Sequence, residues 1–427
     1  MTSSRIGLSL SGGGYRAAAF HLGTLQKLDE MGILPGISVI STISGGSIAG
    51  AAYMVSKVDF EKFKNDTIAK LSSKNLIARA FFTYPAVRFT IFFTIFLIAV
   101  IYFITYHQLL AVLLTFLAFL FLLYFFQFWI FPVSKAIEKS YAAFFTKHKM
   151  LSELPEQPAL VIGSTNLQTA RPFVFSKNFM GDSAYTYADT PIRFLVKDFP
   201  LARAVMASSC VPAAFSPVII DREYFEKPEL FDTYKPVLAD GGVYDNQGIH
   251  KIMQSGSFAC DIVITSDAGN QLKPEKVLRN SLQIAMRAMN VFMTRIKNVQ
   301  MITDVYQNHS LANKEVAYLS LGWDADNCIP GFVRNLKGGD IPDAVIARHG
   351  LKDEWVQHPE QYEKEIAGKL SENIKYEKIV KPDQAEVALA RTVGTNLTPL
   401  KPAAIRALMK QAAALTEIQI RLYCPSL

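Results

Sequence analysis

A serine at the junction of a predicted strand and a predicted helix is the first residue of this chain that could act as a nucleophile. Ser44 follows the apolar, β-branched segment 37–42, and Gly45, Gly46 and a helix of small residues come after it. Such a corner forces the serine backbone into an unusual conformation, so its neighbours must be small. Ser47, in a G-x-S-x-A match, is the competing candidate, but it would already lie in the helix. A helix-capping serine before a glycine turn would give the same pattern.

Three consecutive glycines near the start of the chain could bind a negatively charged group. Gly12, Gly13 and Gly14 follow a short apolar strand, and Arg16 and an alanine-rich helix come next. The spacing also fits the dinucleotide-binding fingerprint G-x-G-x-x-A, which requires an acid at the end of the second strand. That strand ends in serine here, and no Gly-Lys-Ser/Thr phosphate loop follows the glycines. We therefore interpret the three glycines as N–H donors for a developing oxyanion.

A serine nucleophile needs a base, and Asp240 is the candidate. It ends an apolar strand in the sequence ADGG, whose two glycines allow close backbone approach. An ordinary Asp-Gly turn is the competing interpretation. A Ser–Asp–His triad also stays open, with His250 as the preferred third member. The histidines that follow Asp240 in the chain are His250, His309, His349 and His358.

Alternating strand and helix patterns must position these residues, and they predict an α/β domain with a largely parallel sheet. We predict strands at 6–10, 37–42, 159–166, 172–176, 236–242 and 260–269, and helices at 15–31, 47–56, 274–300 and within 397–420. The segment from about 322 to 360 is rich in Gly, Pro and Asp and is expected to be loop.

Residues 89–131 contain no Asp, Glu, Lys or Arg, which predicts a membrane segment. The stretch is too long for one ordinary span, and the polar break TYHQ at 105–108 divides it into helices at about 88–105 and 109–131. A re-entrant hairpin or a hydrophobic hairpin buried in a soluble domain are the other possibilities. Lys and Arg flank both outer ends but not the turn, so we expect a multi-pass integral membrane protein with its α/β domain on the cytoplasmic side.

The overall composition agrees with a membrane protein and argues against a nucleic-acid partner. Half of the 427 residues are apolar, and the formal charge of +7 suits an anionic lipid surface or a solvated basic surface. No Lys/Arg run is dense enough for a nucleic-acid tail. The four cysteines are far apart, and neither metal-ligand spacing nor a cofactor motif is present. We expect no cofactor and no metal, and the oligomeric state has no signal in the sequence.

Four motifs in one order give the chain a family resemblance. SGGGYRA at 11–17, TISGGS at 42–47, ASSCVPAAFSP at 207–217 and ADGG at 239–242 resemble the patatin-like phospholipases. The resemblance implies a three-layer α/β/α fold with a mostly parallel central sheet, here interrupted by the two-helix hairpin. It implies a patatin-like domain in two parts, 1–87 and 132–320, around the hairpin at 88–131. A C-terminal extension at 321–427 is expected to pack on that domain.

The resemblance also implies a serine lipid acyl hydrolase with a Ser–Asp dyad. Ser44 would be the nucleophile and Asp240 the base, Gly12, Gly13 and Gly14 would form the oxyanion hole, and Arg16 would brace that loop. The expected substrate is a membrane phospholipid or lysophospholipid, with fatty acid released through an acyl-enzyme. Thr42 departs from the family, whose elbow usually has glycine there, and crowding is expected. A triacylglycerol substrate, an acyltransferase and a non-catalytic scaffold remain as alternatives.

Overall fold

The computed structural model describes residues 4–427 apart from 270–273, 275, 276, 278 and 308–313. Its strands form one nine-stranded sheet. The strands are β1 (Ile6–Leu10), β2 (Ile37–Ile43), β3 (Ala159–Asn166), β4 (Arg171–Phe175), β5 (Met180–Gly181), β6 (Val218–Ile219), β7 (Val237–Asp240), β8 (Ile262–Asp267) and β9 (Glu315–Ser320).

Helices separate and follow these strands, with short 3₁₀ and π turns among them. The helices are α1 (Gly14–Glu30), α2 (Gly45–Met54), α3 (Phe60–Ser73), α4 (Leu76–Phe81), α5 (Tyr84–Thr105), α6 (Leu109–Ile130), α7 (Val133–Tyr141), α8 (Ser183–Thr186), α9 (Leu201–Ser209), α10 (His250–Met253), α11 (Ser281–Gln300), α12 (Cys328–Lys337), α13 (Asp343–His349), α14 (Asp353–Gln357), α15 (Glu363–Ile374), α16 (Gln384–Thr392) and α17 (Pro402–Tyr423).

The centre of the sheet is parallel, and this arrangement positions the site. Strands β3, β2, β1, β8 and β9 run parallel in that order, so the ends of β1 and β2 lie at one edge, with Leu10 paired to Thr42. Strand β7 runs antiparallel to β3, and Asp240 of β7 pairs with Ser164 of β3. The preceding residue of β3, Gly163, pairs with Ile43 at the end of β2. Asp240 therefore lies beside the corner where β2 ends.

Helices cover both faces of the sheet, which confirms the predicted α/β class with a mostly parallel sheet. Adjacent residues of β2 point in opposite directions, because side chains alternate along a strand. Ile40 belongs to the main apolar core together with side chains from α1, α2, α9 and α17. Val39 belongs to a smaller cluster on the opposite face, where Ile252 of α10 also lies.

The predicted apolar hairpin forms two antiparallel helices, α5 and α6. Both are long and apolar enough to cross a membrane, with mean hydropathies of 2.4 and 2.8 over 18 residues. The hairpin is not part of the core of the α/β domain, because none of the side chains in those windows is buried. The Phe96 and Phe119 rings stack at 4.1 Å between the helices. The outer ends meet where Arg88 Nη1 donates to the Trp129 carbonyl at 3.1 Å.

The expectation of a loop at 322–360 is wrong, because three short helices, α12, α13 and α14, occupy most of it. Their glycines and prolines mark helix ends rather than loop. Pro330 lies in the first turn of α12, where proline is tolerated, and Gly350 ends α13 in a left-handed conformation with φ of 62°.

The C-terminal helix α17 packs along α1, the helix that follows the glycine loop. The backbones approach so closely at Gly23 that a Cβ there would collide with the backbone of Met409. Helix α17 also contacts β9. The first helix is therefore covered by the last helix of the chain.

Candidate active site

Ser44 occupies the corner between β2 and α2 in a strained backbone conformation. Its φ is 50° and its ψ is −114°, values that a non-glycine residue adopts only when its surroundings hold it there. A Cβ at Gly45 would collide with the backbone of Gly14, and one at Gly46 with the carbonyl oxygen of Leu10. The corner has the geometry of a nucleophile elbow, and its two glycines are required by the approach of the first strand and helix.

Thr42 fits at the elbow without the crowding expected from the sequence. Its methyl group lies over Gly50, where a Cβ would approach to 2.7 Å, so a glycine on the helix makes room for the side chain on the strand. The Thr42 hydroxyl donates to the Val161 carbonyl at 3.3 Å and accepts from Ser47 at 3.0 Å. Ser47 is fully buried inside α2, so its hydroxyl supports the corner.

Helix α9 holds both sides of the site through its last residues. The Ser208 hydroxyl accepts the Ser44 N–H at 2.8 Å and donates to the Gly163 carbonyl at 2.6 Å. Two residues later, the Cys210 carbonyl accepts the Asp240 N–H at 2.9 Å. The motif at 207–217 gave no local indication of these contacts, because its hydrogen bonds join strands that are distant in the chain.

Asp240 lies against Ser44 in a nearly dry environment. The two residues are 4% and 7% exposed, and the Ser44 hydroxyl is positioned to donate to the Asp240 carboxylate. The Gly242 N–H donates to Asp240 Oδ1 at 2.7 Å. Burial is the largest influence and raises the pKa of Asp240 to about 6, although both hydrogen bonds lower it. A carboxylate with this pKa can accept a proton near neutral pH.

The glycine loop lies beside this pair and has N–H groups available. Gly13 and Gly14 have φ of 138° and 58°, conformations that favour glycine. The Gly12 N–H donates to the Asn246 carbonyl at 2.9 Å and is therefore already paired. In the described part of the chain, nothing accepts the N–H groups of Gly13, Gly14 or Gly45. Because Gly14 and Gly45 begin α1 and α2, two positive helix ends face the site.

Arg16 and the C-terminal extension hold the glycine loop from outside. The Arg16 guanidinium lies over Gly13 and donates to the Val393 carbonyl at 3.3 Å. The Asn396 carbonyl accepts the Tyr15 N–H at 2.9 Å and lies where a Cβ on Gly14 would be. The extension therefore supplies loop contacts that no local sequence pattern indicated.

The histidines considered for a triad lie elsewhere in the described structure. His250 interacts with Asp245, His349 Nε2 bonds the Leu422 carbonyl, and His358 is exposed near Glu360. His309 is outside the described residues. None of the influences on the pKa of Asp240 comes from a histidine.

His21 is a buried residue near the site that the sequence analysis missed. Burial lowers its pKa to about 4, so the ring is neutral. Its Nε2–H donates to the Ser11 carbonyl at 2.9 Å, and its Nδ1 bonds the Ser266 hydroxyl. The same carbonyl accepts the Gly46 N–H at 3.0 Å, so His21 helps fix the glycine loop against α2. Among the described residues, no group of three or more His, Cys, Asp or Glu side chains could hold a metal ion.

Several solved structures are similar to this chain at low identity. VipD from Legionella pneumophila is 14% identical, with coverage of 97% of this chain and 91% of VipD and a TM-score of 0.33. Human GIVD cytosolic phospholipase A2 in complex with methyl gamma-linolenyl fluorophosphonate is 11% identical. The match covers 97% of this chain and 57% of that protein, with a TM-score of 0.43. The structure of ExoU from Pseudomonas aeruginosa in complex with SpcU is 13% identical. The match covers 97% of this chain and 70% of that chain, with a TM-score of 0.26.

No curated protein matches the chain in sequence. The family model of the patatin-like phospholipases does match, over residues 8–252, which is more than half of the chain. This range contains the glycine loop, the serine corner and Asp240. The chain therefore belongs to the patatin-like phospholipase family and is a lipid hydrolase.

Proposed function

We propose that the chain is a membrane-anchored serine acyl hydrolase that releases fatty acid from glycerophospholipids through an acyl-enzyme on Ser44. One observation carries the proposal: the Ser44 hydroxyl, at a strained strand–helix corner, lies beside the buried carboxylate of Asp240 and is positioned to donate to it. A buried carboxylate beside a serine hydroxyl is arranged to take the proton of that serine. The phospholipid substrate follows from the family.

In the proposed first step, Ser44 Oγ attacks the ester carbonyl while its proton passes to Asp240. The resulting tetrahedral intermediate collapses, and the lysophospholipid alcohol leaves with the proton that Asp240 gives back. Water then attacks the acyl-enzyme, loses a proton to Asp240 and frees the fatty acid, after which the proton returns to Ser44. A pKa of about 6 for Asp240 suits both acceptance and return of the proton.

The oxyanion of both intermediates is stabilised by backbone N–H groups. We assign this role to Gly13 and Gly14, with Gly45 as a further donor, because their N–H groups have no acceptor in the described part of the chain. Gly12 is required for a different reason: it leaves space in the loop, because a Cβ at this position would collide with the side chains of Ser44 and Asn246. Each well-placed donor contributes about a hundredfold or more to the rate of such a reaction.

The hairpin at residues 88–131 is proposed as the anchor. The patatin-like domain, 1–87 and 132–320, would lie on the cytoplasmic side, because Lys and Arg flank the outer ends of the hairpin. The extension at 321–427 would brace the glycine loop through Val393 and Asn396.

A serine-directed fluorophosphonate probe tests the nucleophile. We expect the probe to label the wild-type chain and the Ser47→Ala variant, and both to release fatty acid from phospholipid. The Ser44→Ala variant is expected to be neither labelled nor active. Ser47 is a matched control because it is equally small, buried and on the same corner. Labelling that persists in Ser44→Ala would refute the assignment of the nucleophile.

Replacement of the hairpin tests the anchor separately. Because Arg88 contacts Trp129, a short Gly/Ser linker can join residues 87 and 131 without moving the flanking helices α4 and α7. We expect the full-length chain to stay in the membrane pellet at high salt and high pH, and the linker variant to be released. Release of the full-length chain under these conditions would contradict an integral hairpin.

A further inference from the structure

Helix α11 lies over the turn that carries the catalytic acid. The Met293 methyl group would be 3.1 Å from a Cβ on Gly242, which immediately follows the Asp240–Gly241 step. One turn further along, Lys297 forms an ion pair with Asp267, a fully buried carboxylate at the end of β8. The helix is therefore held against the site by its inner side, where Met286, Met289 and Met293 are half-buried.

The outer side of α11 exposes apolar residues at helical spacing. Ile284, Val291, Phe292 and Val299 are 52%, 48%, 67% and 42% exposed. A helix on a water-soluble surface normally turns its polar residues outward. In α11 most of the exposed residues are apolar, and none of the 20 residues of the helix is buried.

The charges on α11 indicate what covers this outer face. The helix contains Arg287, Arg295 and Lys297 and no Asp or Glu. Arg295 is exposed on the apolar face itself, four residues from both Val291 and Val299. Aliphatic and aromatic side chains interleaved with Arg, without acids, are the composition of helices that lie in the interface of an anionic membrane.

We propose that the outer face of α11, formed by Ile284, Val291, Phe292, Arg295 and Val299, binds an anionic lipid surface and brings the site at Ser44 and Asp240 close to that surface. The inference rests on the proposed function, since a phospholipase takes its substrate from such a surface. Its partner is lipid rather than protein, because the face combines positive charge with apolar area beside a lipid-cleaving site.

A fluorescent label tests the lipid contact without relying on activity. The full-length Phe292→Cys variant, labelled with an environment-sensitive dye, is reconstituted in vesicles containing phosphatidylglycerol. The four native cysteines are buried and stay unlabelled. Val380→Cys is the control, since Val380 is 74% exposed on the C-terminal extension. We expect a blue shift and quenching by doxyl-labelled lipid at position 292 only, both reduced in phosphatidylcholine alone. No response at 292 would overturn the proposal.

Hydrolysis then separates this proposal from the proposed function. The Val291→Gln/Phe292→Gln variant is expected to lose at least tenfold of its activity on vesicles and to keep its activity on a water-soluble short-chain ester within twofold. Equal loss on both substrates, or no loss on vesicles, would refute the role of the face. A change from dimer to monomer in the variant would assign the face to a second copy instead. A dye response in labelled Phe292→Cys, together with no hydrolysis of either ester by the wild-type chain, would instead refute the proposed function.

Discussion

The pKa of Asp240 makes a quantitative prediction for the pH dependence of hydrolysis. In the proposed mechanism, proton transfer from Ser44 requires the carboxylate form of Asp240, whose pKa burial raises from 3.8 to about 6. With that pKa, the deprotonated fraction rises from about one tenth at pH 5 to about nine tenths at pH 7, a roughly tenfold increase in rate. An unshifted carboxyl would be about nine tenths ionised already at pH 5 and would give almost no change.

The assay measures kcat/KM for a water-soluble short-chain ester in mild detergent from pH 4.5 to 8.5. Such a substrate has no titrating group and avoids effects of pH on a lipid surface. Asp304 supplies the control, because burial raises its pKa to about 6 as well and it lies outside the proposed site. The inflection near pH 6 must therefore survive in Asp304→Asn. A profile that is flat between pH 5 and pH 7, or an inflection that disappears in Asp304→Asn, would refute the role of Asp240.

Three further predictions concern the same residues. In Asp240→Asn, hydrolysis is lost, but the free energy of unfolding at pH 7.5 rises by about 1–3 kcal/mol over the wild type. The raised pKa of Asp240 means that ionisation destabilises the fold as pH rises from 3.8 to about 6, so thermal melts of the two proteins should converge below pH 4. Ser208→Ala removes the acceptor of the buried Ser44 N–H and one donor to the Gly163 carbonyl, so it costs about 1–3 kcal/mol and lowers kcat. Ser209→Ala on the same helix should keep kcat, and equal kcat in both variants would count against α9 as the support of Ser44. In Gly14→Ala, kcat should fall more than tenfold, because the new Cβ would collide with the backbone of Asn396. Gly32→Ala is the control: Gly32 also has a positive φ, 71°, but nothing lies within 4 Å of its Cβ position, so this variant should lose only about 1 kcal/mol of stability and keep its activity. Retained activity in Gly14→Ala would contradict the close packing of the glycine loop.

The parts of the fold that the sequence predicts well are those whose signal is local. The run of apolar residues at 6–10 and the glycines after it predict β1 and the start of α1 to within a residue, because strand and turn preferences act over a few positions. Ser44 was separated from Ser47 by the same local argument, since a residue three places into a helix is covered by that helix. The structure has Ser44 at the corner and Ser47 buried.

What could not be predicted depends on contacts between distant parts of the chain. Nothing near Ser208 indicates that it holds the Ser44 N–H, because the two residues are 164 positions apart. The distance from Arg16 to Val393 is 377 positions. The helices within 322–360 were missed for a different reason: glycine and proline are counted as loop formers, but here they begin and end helices that packing stabilises.

The contact between Asn396 and the glycine loop also sets an order of events during synthesis. During translation, Gly14 and Ser44 are synthesised first and the apolar hairpin follows them. Asp240 is added much later, and Asn396 is added after Asp240. The nascent chain therefore carries its serine without its acid, and its glycine loop without the carbonyl that holds Tyr15. By then, the hairpin has already left the ribosome. The glycine loop consequently reaches its final contacts only after residue 396 has been added and folded back.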